Sequence, residues 1–208
     1  MEEVPNLNWY ALKVFYNKVF EMEERLQARG LQTYLAVEKV PLKGADHLAA
    51  RRKLADHSVP PDTRYIEEGP VIYLRRPLVS SLLFVLADED RILQVEELLN
   101  EPLQWGGKAR GFIYKTADFS AYATIPPGQM EAFRLVVDAG VGGLEFFADD
   151  DITRYKKGDK VRVKEGPLKG AEGYIKRIRR DRRLLVSIQG IIAVATSYIP
   201  PEQLEIVH

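Results

Sequence analysis

Cysteine is absent from the chain. That excludes disulfides, thiolate metal sites and cysteine nucleophiles. It also makes a reducing compartment, the cytoplasm, the expected location. Histidine is nearly absent too: His47, His57 and His208 are scattered, and no zinc-ligand spacing exists. The glycines form neither a nucleophile elbow nor a phosphate loop. Gly166 to Gly173 is glycine-rich but lacks the Gly-Lys-Ser/Thr ending that grips a nucleotide. We therefore expect no enzyme, no cofactor and no metal. Long apolar runs are missing as well, none nearing the ~18 residues of a membrane span. The opening MEEVPNLNWY is acidic and is not expected to act as a signal peptide.

What is present suits globular domains: 46% hydrophobic, 29% charged and 10% aromatic residues, enough to build cores. The formal net charge of zero hides a division. Residues 1–150 hold 17 Lys and Arg against 23 Asp and Glu, whereas 151–208 hold 13 against 7. Such asymmetry points to two modules with different partners. Most of the C-terminal excess is Lys176, Arg177, Arg179, Arg180, Arg182 and Arg183, a cluster that suits phosphate or a solvated hairpin tip equally. Asp149, Asp150 and Asp151 read as an acidic linker rather than metal ligands, since no further ligand follows at useful spacing.

Patterning gives the organisation. Trp9 to Phe15 alternates as a strand. A helix follows, with Asn17 as its cap, Val19, Met22 and Leu26 on one face, and Gly30 as its left-handed terminator. Thr33 to Val40, Val71 to Leu74 and Leu82 to Leu86 read as strands. Asp88 caps a helix bearing Ile92, Val95, Leu98 and Leu99. Gly111 to Tyr114 is a short strand, and Pro126-Pro127 opens a last helix with Met130, Phe133, Val136 and Val137. The polar stretch 41–70 stays unassigned, as helix or loop around Arg51-Arg52-Lys53. From Tyr155 onward the pattern is all strand, five short strands expected to curl into a small barrel. The fold class is therefore α+β, with an α/β sandwich over 1–138, a linker over 139–154 and a barrel over 155–208. Leu144, Phe146 and Phe147 make that linker unusually apolar, so docking on one of the domains is expected of it.

The run from Gly158 to Gly173, GDKVRVKEGPLKGAEG, resembles a KOW motif, two strands joined by a glycine-rich turn. Trp9 to Phe15 with its helix, Arg76 to Val85, Gly111-Phe112-Ile113 and Ile125-Pro126-Pro127 to Phe133 are similar, in order, to the N-terminal (NGN) domain of NusG-type transcription elongation factors. The resemblance implies an NGN-type sandwich followed by an SH3-like KOW barrel. Two departures stand out. Ser80-Ser81-Leu82 replaces the family's Pro-Gly-Tyr, and the 41–70 insertion is long. The insertion and the apolar linker point to a specialised paralogue of the UpxY or RfaH kind, one that antiterminates long operons such as those for surface polysaccharides.

The resemblance further implies binding to the clamp of RNA polymerase through an apolar patch, at Trp9, Phe15, Leu78, Val79, Leu82 and Phe112. A bulky strand residue is as readily core as interface; Leu78 and Val79 are favoured because they precede the LLFVL strand. In the barrel, Leu168 and Lys169 of the glycine turn, extended by Ile191 and Ile192, are implied to recruit a small-subunit ribosomal protein or Rho. Lys18, Arg51, Arg52, Lys53, Arg177, Arg179, Arg180, Arg182 and Arg183 are candidate contacts to a nucleic-acid backbone, weak and non-specific because no aromatics interleave them. A monomer without membrane contact is expected. The alternative is a ribosome- or RNA-associated KOW protein.

Overall fold

The computed structural model describes residues 6–60, 62–101, 110–148, 158–178 and 181–207. The chain is mixed α+β, with largely antiparallel sheets. It divides into two compact units, Met1–Tyr114 and Lys115–His208. No helix among the described residues is long and apolar enough to cross a membrane.

In the first unit the elements run β1 (Asn8–Val14), α1 (Val19–Gln27), β2 (Gln32–Tyr34), β3 (Val37–Pro41), α2 (Gly44–Ala55), β4 (Arg64–Glu68), β5 (Val71–Pro77), β6 (Leu82–Ala87), α3 (Glu89–Asn100) and β7 (Gly111–Ile113). The main sheet has the order β2-β6-β1-β7. Its core comes from Tyr10, Leu12 and Val14 of β1, with Leu83 and Val85 of β6, packed with the apolar faces of α1 and α3. Gly111 is dictated by space: a Cβ there would lie 2.1 Å from the carbonyl oxygen of Lys13. Asp88 caps α3 as its position predicts, its Oδ1 accepting from the Arg91 amide at 2.8 Å.

Three local expectations change. Asn17 does not cap α1; it and Tyr16 sit at positive φ, and Lys18 occupies the cap position without a side-chain cap bond. The expected strand 33–40 is broken at Leu35-Ala36, whose side chains are buried, giving β2 and β3 to different sheets. The unassigned stretch 41–70 forms α2 and β4. With β3 and β5 it makes a second, three-stranded sheet of order β3-β5-β4.

The second unit runs β8 (Thr124–Ile125), α4 (Pro127–Asp138), β9 (Glu145–Ala148), β10 (Lys160–Val163), β11 (Glu172–Ile178), β12 (Asp181–Ile188), β13 (Ile192–Tyr198), a 3-10 turn (Pro201–Gln203) and β14 (Leu204–Ile206). Six strands pair in the order β14-β10-β11-β12-β13-β9. The expected barrel is thus an open path: among the described residues β14 and β9 are its two ends and do not pair. Two elements depart from the sequence-based boundaries. Helix α4, grouped with 1–138, packs on β12 and β13. Part of the 139–154 linker is strand β9, paired with β13. Residues 149–154 of that linker, with Asp149, Asp150 and Asp151, lie outside the described residues.

Candidate functional site

At one end of the main sheet in the first unit, four aromatics meet. Phe15, just past β1, packs edge-on against Phe112 at 5.9 Å and against Tyr16 at 6.1 Å. Phe112 in turn lies 5.4 Å from Tyr114. Phe112 is 46% exposed and Tyr16 52%, so the cluster opens to solvent instead of closing into core. Edge position explains this, because among the described residues β7 has no neighbour on its outer side along the sheet path. Backbone geometry contributes as well: Tyr16 has φ 60° and Asn17 φ 57°. Two consecutive non-glycine residues there cost on the order of 1–2 kcal/mol each. Burial also pushes the Tyr114 phenol above its ordinary range.

Leu78 and Val79 form the turn between β5 and β6 and are half-buried. Ser81 of that turn accepts the Val14 amide at 2.8 Å, so it lies at the same end of β1 as Phe15. Phe15, Phe112, Leu78 and Val79 are thereby gathered at one end of the sheet. Trp9 is not: it is six residues back along β1, about 20 Å at strand rise. Leu82 is corrected from interface to core, at 5% exposure on an interior strand. Tyr16 and Tyr114 were not singled out from sequence, although each neighbours a residue that was.

The nucleic-acid candidates separate into paired and unpaired cations. Lys18 bonds Glu21 at 3.0 Å. The charges of Arg25 and Arg110 join it there; burial raises the Glu21 carboxyl, but the Lys18 bond and these charges outweigh it, and its pKa falls below the ordinary value. Arg183 is held in ion pairs, 2.8 Å from Glu145 and 3.9 Å from Asp181. Arg177 and Arg182 stand directly opposite each other on β11 and β12, exposed, lining an open groove of about 690 Å³ with Val161, Ile199 and Leu204. Arg179 and Arg180 lie outside the described residues. Arg51, Arg52 and Lys53 are exposed on α2.

Among the partner-binding candidates of the second unit, Leu168 (7% exposed), Ile191 (8%) and Ile192 (5%) are buried, and Lys169 is exposed. The glycine turn has the backbone its residues demand, with φ 81° at Gly166 and 91° at Gly170. A Cβ on Gly170 would lie 3.8 Å from Leu135 of α4. In this conformation Lys169 alone of the four is offered at the surface.

No protein-family model matches this chain, and no curated protein matches it.

Proposed function

We propose that this chain is a NusG-type transcription elongation or antitermination factor, whose first unit grips RNA polymerase through the cluster Phe15, Tyr16, Phe112 and Tyr114. The observation that carries the reading is that open cluster. Its rings are in contact with one another, two are about half exposed, and a strained backbone presents them. Burying such rings against a helical partner removes apolar surface from water, about 1.5–3 kcal/mol for each well-buried side chain. The ordered resemblance of Trp9 to Phe15, Gly111-Phe112-Ile113 and the GPLKG turn to NGN and KOW sequences supports it. So does the division into two units of different architecture. In this reading the second unit is KOW-like and recruits a small-subunit ribosomal protein or Rho. The long 41–70 insertion and the apolar segment around Leu144, Phe146 and Phe147 favour a specialised paralogue serving a surface-polysaccharide operon. The protein acts in the cytoplasm, as a monomer and without catalysis.

The test is capture of the host's core RNA polymerase by the intact chain and by Phe112→Asp. Retention by the first and at least tenfold loss by the second supports the reading. Equal capture, or none by the intact chain at low salt, rejects it. A second reading, an RNA-associated KOW protein, draws on Arg177 and Arg182, which face each other and have no ion pair among the described residues. Salt-sensitive RNA binding lost in Arg177→Ala/Arg182→Ala, with no polymerase capture, favours it instead.

A further inference from the structure

The segment from β3 through β5 treats its cations in two ways. Lys39 pairs with Glu68, Arg64 with Glu24, Arg75 with Glu23 and Arg76 with Glu38. Arg64 and Arg75 also lie over the Phe20 ring of α1, at 4.9 and 5.1 Å. These four cations are part of the fold. The other four of the segment, Lys43, Arg51, Arg52 and Lys53, stand at the start of α2 or within it, all exposed, and none has an ion pair among the described residues. A shortage of anions does not explain this. Residues 1–114 hold 15 Lys and Arg against 17 Asp and Glu. Carboxylates are in excess, yet among the described residues none forms an ion pair with the α2 cations.

Helix geometry says what they fit. α2 is fixed on its inner side by Ala50, which is 1% exposed, and by His47, whose Nε2 lies 3.3 Å from the Pro70 carbonyl. Three consecutive cations at 3.6 residues per turn fan over about 200° of the remaining surface. Such a fan is too wide for one stripe on a partner protein, but it reaches phosphates on both walls of a nucleic-acid groove. The face between them is small, Ala45, Ala49 and Ala55 with Leu48, which lets the helix approach closely. Asp46 and Asp56 bound the patch at its two ends. There is no aromatic in α2 to stack an unpaired base, which disfavours single strands.

We infer that α2 is a docking helix for the phosphate backbone of duplex DNA, bound without sequence preference. The inference stands on α2 alone and does not require the polymerase reading. Each phosphate neutralised releases counterions, so affinity falls with salt at a slope of about 0.9 per contact.

The experiment is fluorescence anisotropy of a labelled 30-base-pair duplex with the full chain, from about 25 to 200 mM KCl. Arg51→Ala/Arg52→Ala/Lys53→Ala should bind about tenfold or more weakly at 50 mM, with the log–log salt slope reduced by about 2 to 3. Lys164→Ala, which removes an exposed cation of the second unit, should bind as the parent does. Thermal melts should coincide, since the α2 cations hold nothing in the fold. Undiminished binding by the α2 variant, or no binding by the parent at 25 mM, overturns the assignment. Competition separates the other occupants. Displacement by polyglutamate as effective as by unlabelled duplex would make α2 a surface for acidic protein. Stronger displacement by single-stranded RNA would exclude the duplex.

Discussion

Lys13 on β1 has Leu82 as its cross-strand neighbour on one side and Phe112 on the other. The two share a face of the sheet and the same resemblance-based expectation, yet one is core and the other surface. The difference is topological, β6 being interior and β7 an edge. Leu82→Ala should therefore cost about 2–5 kcal/mol in urea denaturation. Phe112→Asp should change stability by less than about 1 kcal/mol while abolishing polymerase capture. A second residue-scale prediction concerns Asp118. The Thr116 hydroxyl, then the Ser120 hydroxyl and amide, hold its carboxyl down at about 2, against an ordinary 3.8. A depressed carboxylate contributes above its unfolded pKa and loses that contribution as pH falls through the folded value. The turn that carries the 78%-exposed Phe119 should thus stay ordered at pH 3.8 and loosen toward pH 2. An NMR titration of the Ser120 amide should show its midpoint near 2, moving upward in Thr116→Val; a midpoint near 3.8 in the parent would contradict it.

Among elements, β9 shows what sequence reading reaches and where it stops. Leu144, Phe146 and Phe147 marked the segment as too apolar for a free tether, but not as a strand. Its partner, β13, lies more than forty residues onward in the chain, and no local periodicity encodes such a pairing. The structure adds the anchors. Glu145 meets Arg183 at 2.8 Å, Phe147 packs against the cluster of Ile178, Leu185, Ala193 and Ala195, and Phe146 lies 6.4 Å from Phe133 of α4. Helix α2 was illegible for a different reason: it buries only Ala50, so it has no apolar stripe to detect. Helices α1, α3 and α4 bury four apolar residues each, most at helical spacing, and their starts were read to within about a residue. The aromatic cluster was half legible. Phe15 and Phe112 came from resemblance, while the exposure that distinguishes them from Leu82 came only from strand order. For β9 the prediction is direct. Phe147→Ala removes a half-buried ring and should cost about 1–2 kcal/mol. Hydrogen exchange should quicken about tenfold across β9 and the facing amides of Ile192–Ala195, and remain unchanged in β10. Unchanged protection of β9 would mean that the strand is held by its backbone pairing alone.

Two units of different construction raise the question of where each ends, and the chemistry of α4 gives an answer that can be measured. Met130, Phe133, Val136 and Val137 form one buried face of α4, and the helix packs on β12 and β13. Its Gln129 side chain accepts the Gln189 amide of the β12–β13 turn at 3.0 Å. With β9 it covers apolar surface that the five strands β10–β14 would otherwise leave to water. A small domain has little stability to spare, on the order of 5 kcal/mol, and two or three uncovered side chains at about 1.5–3 kcal/mol each use up most of it. A fragment spanning 115–208 should therefore fold alone, with dispersed amide resonances and a cooperative melt. A fragment spanning 155–208, which begins at the boundary read from sequence, should melt at least about 10 °C lower or remain partly unfolded, a loss of at least about 2 kcal/mol for a domain of this size. Equal melting temperatures would show that the strands carry their own core, and that α4 and β9 are additions to it. The outcome also decides how the protein is used. If α4 is integral to the second unit, Leu135 stays beside the Gly166–Gly170 turn, and that turn offers the exposed Lys169 rather than the buried Leu168.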